Sequence, residues 1–286
     1  LKVDEFELIR HTFLKKYINY LTNHPNSLMC RLYGMYNIKA GNDDEMLIIV
    51  MRNIIGDLKD NVVAQYDLKG STFQREQKID VNRINKDTMK DLNFNKIEGG
   101  IMIDEQLIKK LRDATKEDSK FLSDNGLMDY SLFLVKLTLT KEESIDIFGD
   151  HILERQEKES KILTDSVVYG KAKKKHEDTK KSINMFDNMR RDIVFGIGNI
   201  HDIKCYRHHL FPSLTQGQGY IIGIIDYLQF FNFSKQVESG FKTKFRKNGK
   251  KIISCINPVE YSDRFINYVE QLTDLHSLLS GTSKDS

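Results

Sequence analysis

The stretch Leu127-Met128-Asp129-Tyr130-Ser131-Leu132 places one carboxylate within an otherwise apolar, strand-like run. Two other stretches share this design: YDLKGST at residues 66–72 carries Lys69 after an apolar run, and IID at residues 224–226 ends on Asp226. A fold can hold a charged group at the end of a strand while the strand itself stays buried. We therefore expect the three stretches to converge on the phosphates of a nucleotide.

Length and composition are typical of a globular protein with a sizeable core. The chain has 286 residues, of which 40% are hydrophobic and 30% are charged, and this length fits one large domain or a two-lobed one. The three cysteines, Cys30, Cys205 and Cys255, lie far apart with no CxxC pair. We therefore expect reduced thiols in an intracellular protein and no zinc site. No apolar run is long enough to span a bilayer, so any membrane contact is expected to be peripheral.

Positive charge is concentrated in two segments, although the net charge is only +3. One is KTKFRKNGKK between Lys242 and Lys251, and the other is KAKKK at residues 171–175. Clustered lysines near an anionic leaflet contribute about 1 kcal/mol each to binding. An anionic membrane is therefore the expected partner, with nucleic acid as the competing one.

Hydrophobic periodicity predicts helices and strands mixed along the chain. The predicted helices are residues 4–21, residues 104–121 and a last helix that begins at Pro258. Asn125-Gly126 is the predicted end signal of the second helix. The predicted strands are residues 28–36, 46–51, 62–68, 128–137 and 220–226. Residues from about 140 to 192 are charged and poor in aromatics, so we expect a mobile insertion that is partly helical at most.

Three charged residues carry the predicted chemistry. Asp226 ends a buried strand, where a carboxylate suits Mg²⁺, although an aspartate there also suits a helix cap. Asp129 follows a helix terminator and can orient or deprotonate an attacking hydroxyl, although turn aspartates commonly bond their own backbone. Lys69 beside Gly70-Ser71-Thr72 offers an ammonium, a close backbone approach and two hydroxyls, which together suit phosphate. The spacing is not that of a Walker A loop.

Two other features are interpreted as structural. Gly196-Ile197-Gly198 is a lone GxG motif, which is more often a loop than a nucleotide site. His208-His209 shows no ligand spacing, so we predict surface or core histidines there.

The three stretches resemble, in order and approximate spacing, the signature blocks of the phosphatidylinositol phosphate kinases. Supporting blocks are NSL at residues 26–28 with LYGMY at 32–36, VMRN at 50–53 and YSDRF at 261–265. The resemblance runs from about residue 5 to about residue 270, apart from the insertion. It implies an α+β, two-lobed fold with antiparallel sheets and a truncated N-terminal lobe.

The resemblance also implies a division into lobes and a role for each charged residue. Residues 1–53 would be the remainder of the N-terminal nucleotide lobe and the hinge, and residues 54–286 the C-terminal catalytic and lipid-binding lobe. Lys69 would lie at the transferred phosphate, Asp129 would be the catalytic aspartate and Asp226 the Mg²⁺-binding aspartate.

Further positions match the nucleotide and lipid contacts of the family. Met51, Arg52 and Asn53 match the hinge beside the adenine of ATP, and Arg75 is suited to the lipid headgroup. A glutamate of the first helix, Glu7 or Glu5, would pair with the nucleotide lysine; the residues leave that choice open. Phosphoryl transfer needs in-line positioning and charge neutralisation more than covalent help, so lysine, Mg²⁺ and an orienting carboxylate suffice.

Two departures from the family pattern concern ATP and the lipid. The family's glycine-containing phosphate loop and nucleotide-binding lysine precede the first helix, and this chain begins after them, so we expect the fragment to bind ATP poorly. The segment after Asp226 usually carries a Lys-Lys pair, whereas here it reads Lys235-Gln236, which weakens phosphate contact.

The expected activity is a phosphatidylinositol 4-phosphate 5-kinase. Glu238 is similar to the Glu of the kinases that act on the 4-phosphate, where the 5-phosphate-using class has Ala. The basic, phenylalanine-containing segment after Asp226 is expected to lie on an anionic bilayer. The resemblance implies a cytoplasmic protein, peripheral on the plasma membrane, that takes phosphoinositide rather than nucleic acid; a homodimer is left open. The alternatives are a 5-phosphate 4-kinase and a non-catalytic phosphoinositide-binding scaffold.

Overall fold

The structure is a computed structural model that describes residues 3–38, 46–71, 75–80, 83–149, 209–231 and 257–274. Several predictions fall outside these residues and are not tested by it. They concern the basic segments, the lone GxG motif, His208, Lys235, Glu238 and the remainder of the insertion from residue 150.

Helices and strands follow one another in short runs of each kind along the described chain, as in an α+β fold. The helices are α1 (Val3–Leu8), α2 (Leu14–Asn23), α3 (Asp91–Ile97), α4 (Glu105–Asp124), α5 (Lys141–Phe148) and α6 (Pro258–Leu272). The strands are β1 (Leu32–Ile38), β2 (Met46–Met51), β3 (Val62–Leu68), β4 (Thr88–Lys90), β5 (Leu127–Met128), β6 (Ser131–Thr138), β7 (Leu210–Pro212), β8 (Gln218–Ile225) and β9 (Gln229–Phe230).

A five-stranded sheet in the order β4-β3-β6-β8-β7 forms the centre of the fold. Strand β6 pairs antiparallel with both β3 and β8, and only β4 runs parallel to its neighbour β3. Leu68 faces Leu132, and Ser131 faces Ile225. The end of β3, the start of β6 and the end of β8 therefore lie side by side at one edge of the sheet.

Helices α4 and α6 pack against each other and bury the apolar faces that their periodicity predicts. Asp104 caps α4 by accepting a hydrogen bond from the Gln106 amide at 2.9 Å, and Asn257 does the same for α6. Arg112 joins the two helices, since its Nε donates to Thr273 Oγ1 at 2.8 Å. The predicted end of α4 at Asn125-Gly126 is confirmed, with Gly126 at φ 70°.

The N-terminal residues are joined directly to this sheet. Met29 forms a parallel bridge with Ile224, and the Cys30 amide donates to the Ile224 carbonyl at 2.9 Å. By contrast, β1 and β2 form a separate two-stranded sheet. The lobe boundary at residue 53 stays a prediction.

Three element predictions need correction. The helix predicted for residues 4–21 is interrupted by a π-helical turn at Ile9–Phe13, which places Ile9 and Phe13 in the core. The strand predicted for residues 128–137 is split into β5 and β6, because Asp129 has a φ of 64° that a strand cannot accommodate. The strand predicted for residues 28–36 begins only at Leu32, and Met29 forms an isolated bridge with Ile224. The helix α5, capped by Thr140 and Glu143, agrees with the expectation that the segment from about residue 140 is partly helical.

Asp118 is a fully buried carboxylate at the contact between α4 and the N-terminal segment. Its Oδ1 accepts a hydrogen bond from the Tyr20 hydroxyl at 2.9 Å and its Oδ2 one from the Leu28 amide at 2.7 Å. Burial is the largest cause that raises the pKa of Asp118, from 3.8 to about 6. The folded protein therefore binds this proton more tightly than the unfolded chain.

We expect Asp118 to make stability fall as pH rises from about 4 to about 6. A raised carboxyl pKa contributes stability that is present below the unfolded value and is lost above the folded one, here about 3 kcal/mol. The change Asp118→Asn removes this titration. The measurement is the free energy of unfolding of the full-length protein and the variant between pH 4 and 7. As pH rises across this range, the wild type should lose about 3 kcal/mol of unfolding free energy that the variant does not lose. Parallel pH profiles of the two proteins would contradict the assignment.

Candidate functional site

Lys69 and Asp129, predicted from separate stretches, are in direct contact. The Lys69 Nζ lies 2.9 Å from Asp129 Oδ1 and also donates to the Asp129 carbonyl oxygen at 2.6 Å. The two side chains are 13% and 27% exposed, so the ion pair is partly shielded but reachable from solvent. The contact arises because the end of β3 lies beside the start of β6.

Asp226 and Asp67 complete what we call the carboxylate–lysine cluster: Asp67, Lys69, Asp129 and Asp226. Asp226 is exposed at the end of β8. Partial burial raises the pKa of Asp226, the charge of Asp67 raises it further, and the Lys69 ammonium opposes the rise. Lys69 pairs with Asp129, and Arg75, from outside the cluster, pairs with Asp67. Three carboxylates therefore face two cations, which leaves an excess of negative charge that favours a bound cation.

The donor set of the cluster fits Mg²⁺ together with a polyphosphate. Mg²⁺ is commonly held by one or two carboxylates, with substrate phosphates and waters completing the octahedron. Among the described residues, no group of three His, Cys, Asp or Glu side chains is arranged to hold a metal ion alone. Asp226 is consequently a candidate ligand whose remaining partners would come from a nucleotide.

Two of the three aspartates in the cluster have an unusual backbone conformation. Asp129 has a φ of 64° and Asp226 a φ of 58°, and they are the non-glycine residues at positive φ in the described part of the chain. Such conformations cost about 1–3 kcal/mol, persist only where the surroundings fix them, and concentrate at functional sites. Their coincidence in one cluster supports a functional role.

A fully buried tyrosine follows each of these aspartates and fixes the turn. Tyr130 packs edge-on against Tyr261, whose hydroxyl donates to the Tyr130 carbonyl. Tyr227 stacks on Tyr17 and donates its hydroxyl to the Cys30 carbonyl. At both positions, the positive φ of the aspartate keeps its carboxylate at the cluster, and the tyrosine that follows is buried in the core.

The sequence analysis missed two residues of this region, Asp67 and Asp91. Asp67 lies inside a quoted stretch, but no local signal distinguishes it from other strand residues. Asp91 is 1% exposed and accepts hydrogen bonds from the amides of Lys69 at 2.9 Å and Gly70 at 2.8 Å. Its position at the start of a helix gave no indication of this contact.

Arg75 is held beneath the cluster. Its Nε donates to Asp91 Oδ2 at 2.6 Å, and one terminal nitrogen lies 3.0 Å from Asp67 Oδ1. The residue is only 8% exposed. Its guanidinium also donates to the Asp67 main-chain carbonyl. The described contacts of this side chain are therefore with protein groups, and the headgroup role stays a prediction.

The predicted hinge and helix residues have contacts of their own. Met51 is 37% exposed, the Arg52 amide donates to the Arg31 carbonyl, and the Asn53 side chain accepts from the Ile55 amide at 3.1 Å. Glu7 pairs with Arg10 and His11 on its own helical segment, and Glu5 is exposed. Roles in ATP binding stay predictions for these residues, as do those of Lys235 and Glu238, which lie outside the described residues.

No helix in the described part of the chain is both long enough and apolar enough to cross a bilayer.

Comparison with known proteins identifies the family. The family model described as phosphatidylinositol-4-phosphate 5-kinase matches residues 1–272. The chain is 27% identical over 282 residues to a probable phosphatidylinositol phosphate kinase of Dictyostelium discoideum, which covers 95% of this chain and 38% of the relative.

Two further relatives carry the names of different enzymes. Identity is 29% to phosphatidylinositol 5-phosphate 4-kinase type-2 gamma of Xenopus tropicalis, over 92% of this chain and 60% of the relative. Identity is 27% to phosphatidylinositol 4-phosphate 5-kinase of Plasmodium falciparum, over 90% of this chain and 13% of the relative. The chain thus spans less than two thirds of the length of these three proteins.

The match to the family model covers nearly the whole chain, and the stretches that carry Lys69, Asp129 and Asp226 meet at one edge of an α+β fold. On these grounds the chain is a member of the phosphatidylinositol phosphate kinase family.

Proposed function

We propose that the full-length protein transfers the γ-phosphate of ATP to the inositol ring of a phosphatidylinositol monophosphate. The observation that carries this proposal is the meeting of Lys69, Asp129 and Asp226 at one edge of the central sheet. Kinase chemistry of this kind depends almost entirely on positioning and electrostatic stabilisation, and the cluster supplies one ammonium and several carboxylates for both.

Each residue of the cluster has a distinct task in the proposed reaction. Asp226 would hold Mg²⁺, which when bound neutralises charge on the phosphates of ATP. Asp129 orients the attacking hydroxyl and accepts its proton. Lys69, fixed by the carboxylate and carbonyl of Asp129, neutralises charge on the transferred phosphoryl group.

We favour the 5-hydroxyl of phosphatidylinositol 4-phosphate as the acceptor. The support is Glu238 and the description of the matching family model. A 5-phosphate 4-kinase is the second candidate, favoured by the relative of that name at 29% identity. A non-catalytic scaffold is the third, and the cluster argues against it because a scaffold has no need of two strained aspartates beside a lysine.

The proposed substrate sits in a membrane, so we also propose that the protein acts as a peripheral protein on the cytoplasmic face. The support is the basic segment between Lys242 and Lys251, with phenylalanines beside the lysines. Such a segment suits an anionic leaflet, with aromatic rings inward and lysines at the headgroups. A homodimer stays a prediction.

The acceptor position is tested with the full-length protein and labelled ATP on phosphatidylserine-containing vesicles. One set of vesicles carries phosphatidylinositol 4-phosphate and the other phosphatidylinositol 5-phosphate. We expect faster labelling of the 4-phosphate, and Glu238→Ala should shift the preference towards the 5-phosphate. A preference of the wild type for the 5-phosphate would establish the second candidate instead. No labelling of either lipid would overturn the kinase proposal.

A further inference from the structure

Asp91 lies beside the loop that carries Lys69 because the short strand β4, which precedes Asp91, pairs with β3. Strand β4 runs parallel to β3, with Asp67 opposite Lys90. Asp91 follows directly as the first residue of α3. It therefore stands beside the point where β3 ends and the Lys69 loop begins.

The Asp91 carboxylate holds this loop from one side. Oδ1 accepts hydrogen bonds from the amides of Lys69 at 2.9 Å, Gly70 at 2.8 Å and Ser71 at 3.4 Å. Oδ2 accepts from Arg75 Nε at 2.6 Å. Hydrogen bonds to an ionised acceptor are about twice as strong as neutral ones. Beyond the end of β3, the backbone amides of residues 69–71 have no neighbouring strand to donate to among the described residues, and the buried Asp91 carboxylate accepts their hydrogen bonds instead.

Helix α6 confines the loop from the other side. Gly70 has a φ of 64°, and a Cβ atom added there would lie 2.8 Å from the Cβ of Tyr268. The loop cannot move towards α6 without a steric clash, and moving away from it stretches the bonds to Asp91. The backbone at Gly70, next to Lys69, therefore lies between the Asp91 carboxylate and Tyr268.

We propose that Asp91 is a positioning residue for phosphoryl transfer, acting through the Lys69–Ser71 loop to keep the Lys69 ammonium on Asp129. This inference rests on the proposed function. Asp91 is 1% exposed, so it acts through Lys69 and is not itself a catalytic residue. Misplacement of a reacting group by about 1 Å can cost about 100-fold in rate, which sets the expected scale.

A purely structural role is the competing explanation, since an acidic residue in the first turn also stabilises a helix. The two roles differ in what they change. A positioning residue alters kcat while substrate binding is retained. A structural residue alters the folded fraction and leaves the kcat of the folded molecules intact.

The test compares Asp91→Asn with the wild type and with Asp118→Asn in the full-length protein. Asp118 is a matched control because it is also buried and accepts a backbone hydrogen bond, from Leu28, but its hydrogen bonds do not reach the Lys69 loop. We expect Asp91→Asn to lower kcat about 10- to 100-fold, with the KM values for ATP and lipid unchanged. Amide hydrogen exchange at residues 69–71 should accelerate in the same variant. Asp118→Asn should retain both kcat and the exchange rate at these residues.

Asp91→Glu serves if the asparagine variant does not fold. It keeps the negative charge but moves the carboxylate by one methylene group, so it displaces the loop without placing an amide against Arg75. We expect a smaller loss of kcat in this variant, again with both KM values retained, and faster exchange at residues 69–71.

The outcomes separate this inference from the proposed function. An unchanged kcat and unchanged exchange at residues 69–71 would overturn the role of Asp91. So would a loss of activity that matches the loss of folded protein in thermal unfolding. If the wild type itself phosphorylates neither lipid, the proposed function fails, and the exchange comparison still decides whether Asp91 holds the Lys69 loop.

Discussion

Replacing Asp226 by Asn is expected to lower the rate of lipid phosphorylation by the full-length protein about 1,000-fold. The variant retains the shape of the side chain but removes the charge that would hold Mg²⁺. A bound metal ion contributes several kcal/mol of transition-state stabilisation, and each ~1.4 kcal/mol corresponds to a factor of ten in rate. Asp226 is the exposed carboxylate of the cluster, so it is the one that a metal ion can reach most readily from solvent.

The measurement is the initial rate on vesicles at saturating ATP and Mg²⁺, with Asp104→Asn as the control. Asp104 caps α4 through the Gln106 amide, and asparagine caps a helix about as well as aspartate. The control should keep the wild-type rate. If Asp226→Asn also kept it, Asp226 would have no role in holding the metal.

The second large effect concerns the ion pair of Lys69 and Asp129. Removal of a general base or of a charge at the transition state typically costs about 10²- to 10⁴-fold in rate. We expect losses of this size for Lys69→Met and for Asp129→Asn. Because the Lys69 ammonium is held by the side chain of Asp129 at 2.9 Å, each change also disables the other residue. The double variant should therefore be little worse than either single one.

A double-mutant cycle on kcat measures this coupling, and Lys136→Met controls for the loss of a partly buried lysine. Lys136 Nζ pairs with Glu98 Oε2 at 2.7 Å and is 20% exposed. Its strand neighbour is Tyr220, away from the end of β8 that carries Asp226. The control should lose stability but retain kcat. Rate losses that multiply fully in the double variant would show that Lys69 and Asp129 act independently.

The parts of the fold that the sequence predicted are those with a strong local signal. Strands β2 and β8 contain continuous or nearly continuous apolar runs, β3 alternates between buried and less buried residues, and α4 and α6 bury one face at helical spacing. These patterns of apolar residues are visible in the sequence itself. The short strands β4 and β7 each have three residues and are defined by their partners in the sheet, which no local pattern reveals.

The same distinction applies to the cluster. Lys69, Asp129 and Asp226 stand at the ends of apolar runs, and the antiparallel pairing of β6 with β3 and β8 brings those ends together. Asp91 was missed because its partners are about 20 residues earlier in the chain. Contacts between residues so far apart in the chain depend on the tertiary structure, which a local sequence pattern does not show. The same holds for Arg75, which was predicted to bind the lipid headgroup and pairs with the carboxylates of Asp67 and Asp91.

The positive φ of Asp129 and Asp226 also lies beyond local prediction. Glycine is the usual residue in this conformation, and aspartate adopts it much less often. The buried tyrosine after each aspartate fixes the turn, and only the packed core determines that both tyrosines turn inward. The sequence therefore indicated these two aspartates as candidates, while the packing determines their backbone conformation.

The central claim is that the cluster holds a metal–nucleotide complex through Asp226. Its most direct test is the binding of Mn²⁺, as a paramagnetic substitute for Mg²⁺, to the full-length protein in the presence of a non-hydrolysable ATP analogue, followed by electron paramagnetic resonance. We predict that Asp226→Asn weakens Mn²⁺ binding by about 10- to 100-fold or more, while Asp104→Asn binds as the wild type does. Equal Mn²⁺ affinity in the wild type and in Asp226→Asn would contradict the claim.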